Sequence, residues 1–333
     1  MNGPSNKRGV ALILALMVFA LISGIAVKVL SYIDEESALY EKINDDNIDK
    51  EILYGGEAWA AQWFSELSFS STSSSSQNQP SQSRLLADEF LELDDENQKL
   101  HITLVDMQSC INVNALADNE LREVTYTRLK SLAGQIGTDS NWIDWLTDWV
   151  DEDQSLTGSD GREDEYYLGR SVSHRTADVA FVGDTEWTQL GLDDDVLEKI
   201  APYVCALPKY NGLNINRASS VLLKAMLPGL TTDAFSKLEA RVQSAGYEEI
   251  NDFLQDEAYE AQELEEADWR MDTQFIEAFI VLEEKDKPNR FLHTLLYKNE
   301  DGIISVYYRS FAPFETLSKK LLQYLGVTAT KTN

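Results

Sequence analysis

The sequence KRG at residues 7–9, followed by VALILALMVFALISGIAV at residues 10–27, decides how the rest of the chain is read. A short polar leader with two cations stops at Gly9, and an uncharged, mostly apolar run of eighteen residues begins at Val10. Such a run is about long enough to cross a hydrocarbon core as a helix. Cations in front of it favour a cytoplasmic N-terminus.

A secretory signal peptide is one reading of this stretch. Two features argue against it. The apolar run exceeds the usual h-region of about 7–15 residues, and no small-x-small cleavage site precedes the charged segment that starts at Asp34. A cation-rich leader ending in glycine directly against the apolar run resembles the class III signal of type IV pilins and type II secretion pseudopilins. That resemblance implies a prepilin peptidase that cuts after Gly9 and methylates Val10 as the new N-terminus. Most pilins carry Glu at the fifth mature position, and here it is Leu14. That departure resembles one branch, the minor pseudopilin K of type II secretion.

Outward from this stretch, a helical period continues to about Ser68. From Asp34 on it is amphipathic, with Ile48, Ile52, Ala58, Trp59, Trp63 and Leu67 among its apolar positions. Gly55-Gly56 is a weak point that predicts a bend or a close contact. The segment Tyr54 to Ala60 resembles the glycine-Glu-Ala stretch of pseudopilin K proteins. Residues 69–83 form a serine-rich run with too little apolar surface to fold. Residues 88–93 and 99–106 alternate as strands do, and so do 275–282, 290–297 and 303–309. The last three, with turns between them, predict an antiparallel meander.

Between these strand regions lies a long helical insert. It opens with Cys110-Ile-Asn-Val-Asn-Ala-Leu116, which resembles a stretch at the same place in pseudopilin K proteins, and a related Leu213-Asn-Ile-Asn-Arg-Ala218 follows about one hundred residues later. An Asn before a helical run is a good N-cap, and the pair hints at an internal repeat. The 333 residues carry a net charge of −29, which disfavours nucleic acid and suits cations. Cys110 and Cys205, the two cysteines, read as one disulfide in an exported chain, with two buried thiols as the alternative. His101, His174 and His293 are too scattered for a zinc site.

The densest chemistry is DWLTDWVDED at 144–153 followed by GSDGREDEYY at 158–167. So many carboxylates repel one another unless a cation intervenes, and calcium, with six to eight oxygen ligands, suits them best. The spacing is not that of an EF-hand. With Asp151 at position 1, Leu156 falls where Gly is needed and Arg162 where Glu is needed. It resembles the calcium loop of pseudopilin K. On that match Asp151, Asp153, Glu163 and Asp164 are implied ligands, with Asp148 and Asp160 as further ones and Asp178 as a substitute for a family Asn.

A second motif, from Leu213 through Leu227-Pro-Gly-Leu-Thr231 to Phe253, resembles helix-hairpin-helix modules that grip DNA phosphates. The insert carries 12 Lys and Arg against 32 Asp and Glu, and phosphate contacts need cations, so no nucleic-acid partner is expected. No nucleophile and base stand together, and no enzyme is read here.

The expected fold is α+β: a pilin-like stem helix packed on an antiparallel sheet, with a large all-α insert of helix-hairpin-helix or SAM-like type. The divisions are a leader at 1–9, a stem at 10–68 with a transmembrane half at 10–30, and the serine-rich loop at 69–83. The sheet takes 84–108 plus 270–315, the insert 109–269 and a C-terminal tail 316–333. The resemblance implies a single-pass inner-membrane protein with a periplasmic domain, acting at the pseudopilus tip in export of folded proteins. It implies Ca2+ as cofactor and other minor pseudopilins as partners, the I and J types first and the H type next. A type IV minor pilin and a membrane-tethered calcium-dependent enzyme are the competing readings.

Overall fold

The computed structural model describes residues 7–67, 84–93, 97–256, 264–285 and 287–327. The serine-rich run, most of the leader and the last six residues of the tail lie outside the described residues. The chain divides into two units, Met1–Tyr54 and Gly55–Asn333. The first helix, α1 (Lys7–Glu66), supplies the whole described part of the first unit. Its segment from Val10 to Leu30 is exposed along almost all its length, and the helix is long and apolar enough to cross a membrane.

In the second unit, β1 (Leu85–Leu93) and β2 (Gln98–Asp106) come first. The insert then runs through β3 (Ile111–Asn112), α2 (Arg122–Ile136), α3 (Asn141–Val150), α4 (Asp164–Leu168), α5 (Asp194–Ile200) and β4 (Val204–Cys205). It continues with β5 (Leu213–Asn214), α6 (Ser220–Met226), α7 (Thr232–Ser244), α8 (Ile250–Leu254) and β6 (Trp269–Arg270). The chain returns to the sheet with β7 (Phe275–Glu284), β8 (Arg290–Lys298) and β9 (Ile304–Ser310), and α9 (Thr316–Tyr324) follows. The main sheet has the order β1-β2-β7-β8-β9, with every pair antiparallel. This is the α+β class read from the sequence.

Alternation in the strands gives the sheet two apolar faces. One face meets the α1 segment that starts at Gly55. At Gly56 the helix approaches so closely that an added Cβ would lie 2.9 Å from Ile280 Cγ2 and 3.0 Å from Leu100 Cδ2, whereas at Gly55 it would meet nothing within 4 Å. The glycine pair therefore marks a close contact; the residues around it are helical throughout. Gly55→Ala should stabilise the protein by about 1 kcal/mol through helix propensity. Gly56→Leu should destabilise it by about 1–3 kcal/mol through overpacking. Urea unfolding of the two variants checks the contrast. Glu57 on this segment takes a two-pronged bond from Arg309, both contacts at 2.7 Å. The Lys298 ammonium donates to the carbonyls of Phe64 and Leu67, where a helix C-terminus favours a cation.

The other face, with Val105, Phe279, Val281, Phe291 and Leu295, shares one core with the insert. Leu317, Leu321 and Leu322 of α9 join the same core, so the first part of the stretch expected as a tail is a docked helix. Both ends of the insert meet at Asp106, which is fully buried at the end of β2. Its carboxylate accepts from Gln108 N, Ser109 Oγ and Thr273 Oγ1 and pairs with Arg217 Nε at 3.2 Å.

Within the insert the two Asn-x-Asn stretches do the same job twice. Asn112 and Asn214 each close a two-residue parallel bridge, β3 with β4 and β5 with β6. Each accepts from the backbone N–H two residues on, at 3.1 Å in both cases. The second Asn of each pair clamps a distant backbone. Asn114 bonds Phe181 N and O, and Asn216 bonds Tyr247 N and O. Cys110 and Cys205 form a disulfide beside the first bridge, with Cα atoms 5.8 Å apart.

Candidate metal centre

Helix α3 buries Trp142, Ile143, Leu146, Trp149 and Val150, which fixes the other side chains along it. Asp144 and Asp148 are buried as well, and both shape the loop that follows. Asp148 uses one carboxylate oxygen to accept Thr157 N at 2.8 Å and the other to accept Arg162 N at 2.5 Å. Asp144 accepts the Tyr126 hydroxyl. The loop backbone comes in over these two carboxylates at glycines. A Cβ at Gly158, which has φ +65°, would lie 2.5 Å from Asp144 Oδ2, and one at Gly161 would strike Asp148. With both oxygens committed to backbone N–H groups, Asp148 is a loop clamp rather than a free donor, although burial raises its pKa.

Asp151 and Glu163 are different. They are 3% and 4% exposed, so water does not solvate them. Asp151 Oδ1 and both Glu163 carboxylate oxygens have no hydrogen-bond partner among the described residues. A buried carboxylate without partners resists ionisation. Burial pushes Glu163 up to about 8, reinforced by the charges of Asp148, Asp151, Asp178 and Asp153. Burial pushes Asp151 up to about 6, against the opposing charge of Arg122, whose Nη1 stands 3.7 Å from Asp151 Oδ2.

The remaining sequence candidates divide. Asp153 is exposed, and its pKa is lowered by the bond it accepts from Ser155 N at 2.7 Å. Asp178 has a left-handed backbone, φ 51°, alone among the described non-glycine residues, and accepts from Thr176 Oγ1 and Gln154 Nε2. Asp164 is held by Arg175 Nη1 at 2.9 Å and by Thr176. Asp160 accepts from Ser159 Oγ, and its carbonyl accepts from the Trp145 indole. Arg162 stacks over Trp145 with its guanidinium carbon 3.2 Å from the ring centroid, which pins the loop from outside.

Among the described residues, no three His, Cys, Asp or Glu side chains converge as an assembled metal site. The donors nevertheless suit a hard cation: all are oxygens, several are anionic, and three buried ones lack a hydrogen-bond partner among the described residues. Asp151 and Glu163 would hold the ion, with Asp153 and Asp178 near enough to be felt by Glu163. The ion would supply the positive charge that lets both buried groups ionise. Sequence reasoning missed Arg122 and Gln154. Arg122 sits on α2, far from the loop in sequence, and nothing local marks it.

The helix-hairpin-helix stretch holds its expected shape, with Ser219 capping α6 and Thr231 capping α7. Thr231 stands where such modules carry their second glycine. Its side chain takes up the N–H of Ala234.

Comparison with known proteins agrees with this architecture. The family described as type II secretion system protein K matches twice, over residues 109–209 and 213–268. Each match opens at or just before one Asn-x-Asn stretch. Type II secretion system protein K of Klebsiella pneumoniae is 30% identical over 273 residues, covering 75% of this chain and 79% of that one. The Pseudomonas aeruginosa protein K is 25% identical over 217 residues, and the match spans 65% of its length and 64% of this chain. In fold, the chain resembles a chain of the GspK-GspI-GspJ complex from the enterotoxigenic Escherichia coli type 2 secretion system. The TM-score is 0.63 at 20% identity, over 82% of this chain and 98% of that one. The Klebsiella match, over three quarters of both chains, makes this chain a member of the type II secretion system protein K family.

Proposed function

We propose that the chain works as a minor pseudopilin at the tip of the type II secretion pseudopilus, anchored in the inner membrane by the apolar part of α1. Membership of the protein K family is the observation that carries this reading. The apolar, uncharged run from Val10 to Val27 in this helix supports the anchor. Two features support the tip. Leu14 gives the stem no carboxylate to pair with a neighbour's N-terminal amine. A carboxylate buried there is costly unless paired, so this subunit gains nothing from an amine docked beside it. The insert also leaves the sheet at one end of its two adjoining strands β2 and β7, where Asp106 lies opposite Ile276, and would obstruct a subunit stacked there. The K-type relative of known structure is in a complex with GspI and GspJ, and chains of those two types are the partners proposed here. Calcium held by Asp151 and Glu163 would keep the insert in shape.

Processing and position are both measurable. Mass spectrometry of the membrane-extracted protein should give an N-terminus at Val10, methylated. A cut near Ala26 or Ser31 would remove the stem and end the pseudopilin reading. Cross-linking in native membranes should capture I- and J-type pseudopilins at one end of the filament. Cross-links spread evenly along the shaft would contradict the tip.

A further inference from the structure

A cation already stands beside Asp151, and it is Arg122. It projects from the start of α2 into a cleft of about 440 Å3 also lined by Asn119, Tyr126, Asp151, Asp153 and Thr157. The guanidinium is tethered at one point, with Nε donating to Leu116 O at 2.8 Å. Its Nη1 then reaches to 3.7 Å from Asp151 Oδ2, an ion-pair separation too long for a hydrogen bond. Arg122 is partly exposed, whereas Asp151 is buried. The guanidinium therefore compensates Asp151 through charge and leaves its oxygens free.

We propose that Arg122 is a built-in competitor for the metal: it stabilises Asp151 when the ion is absent and weakens binding when the ion arrives. The proposal rests on the calcium reading above. A divalent ion held by Asp151 would stand close to the guanidinium, and the two positive charges repel. At a separation of about 6 Å in a water-like dielectric, that repulsion amounts to about tenfold in the binding constant. The cleft is also the open side of Asp151, so the same arginine faces an entering ion. Arg122 thus sets the calcium concentration at which the insert responds, and does so as a neighbour rather than as a ligand.

The test is a calcium titration by calorimetry on the full-length protein in detergent, with Arg122→Gln and Arg122→Lys beside the wild type. The charge-free Gln variant should bind calcium about tenfold more tightly. Its melting temperature in chelator should fall, because Asp151 loses its compensating charge. The Lys variant keeps the charge without the Leu116 tether, so its calcium affinity should stay near that of the wild type. If the wild type binds calcium and Arg122→Gln binds equally or less tightly, Arg122 supports the site and does not compete with the metal. A Lys variant that binds as tightly as the Gln variant would also refute competition by charge. No calcium binding by the wild type would remove the metal centre itself.

Discussion

Glu163→Gln abolishes the rise in melting temperature that calcium is expected to give the full-length protein. Glu163 keeps both oxygens buried without a hydrogen-bond partner among the described residues. Its pKa is raised by burial and by neighbouring carboxylates to about 8, from an ordinary value of 4.5. The sign follows from the raised value. The neutral acid is the form the fold prefers, so its contribution is complete below the ordinary value and is lost as pH rises through about 8. Asp151, raised to about 6, acts in the same direction at lower pH. Metal-free protein should therefore weaken steadily from mildly acidic pH to pH 8 or so. Calcium bound only to the ionised, folded form would reverse this, and at one hundred times its Kd would add about 2.7 kcal/mol. The amide of the Glu163→Gln variant cannot ionise. That variant should be more stable than the wild type in chelator at about pH 8, and indifferent to calcium. Thermal unfolding near pH 6 and pH 8, with calcium and with chelator, reads both effects. A calcium response that survives in the variant would exclude Glu163 as a ligand.

The second large effect is expected at Asp268. This residue lies just before β6 and takes a two-pronged bond from Arg128 of α2, with the Tyr210 hydroxyl as a third donor. Both partners of the ion pair are buried, with side-chain exposures of 9% and 8%. Burial is the largest single influence on Arg128 and would lower its pKa, but the bonds it makes to Asp268 and Tyr210, together with their charges, outweigh it and the net direction is upward. Tyr210 is raised by burial and then by Asp268. Asp268→Ala leaves a guanidinium buried without its counter-charge and should cost about 3–5 kcal/mol, measured by urea unfolding. The exposed pair Lys237–Asp233, on one face of α7, gives the contrast. Asp233→Ala should change stability by less than about 1 kcal/mol. Equal losses in the two variants would contradict the argument from burial.

Much of this is legible in the chain before the fold. The apolar stretch after Gly9, the strands around the insert and the acidic loop all announce themselves by local pattern, because helices and strands bury residues at fixed periods. The roles within the loop are less legible. Asp144 and Asp148 carry the same side chain as Asp151 and lie just before it in the chain, yet backbone donors from the loop claim Asp148 while Asp151 keeps an oxygen free. Composition cannot register that difference, since it depends on where the loop returns. Arg122 and Asp268 are silent for a related reason: their partners are distant in sequence and are brought near only by packing. Helix α9 reads as tail because its apolar positions are few, and it is the shared core that gives them somewhere to go.

The Asp106 junction also bears on how such a chain arises. Without the insert, the strands would follow one another in the sheet in the order they occur along the chain, as a plain up-and-down meander. The whole helical insert thus occupies the place of a single hairpin turn, between residues already paired across β2 and β7. Loop-closure entropy grows only logarithmically with the residues enclosed, so lengthening a turn is thermodynamically mild provided the new segment folds with its ends together. The network at Asp106 holds them so, by joining Gln108 and Ser109 to Thr273. In genetic terms the insert is a cassette whose gain or loss leaves the strand order unchanged, although the sheet face that shares its core would then need another cover.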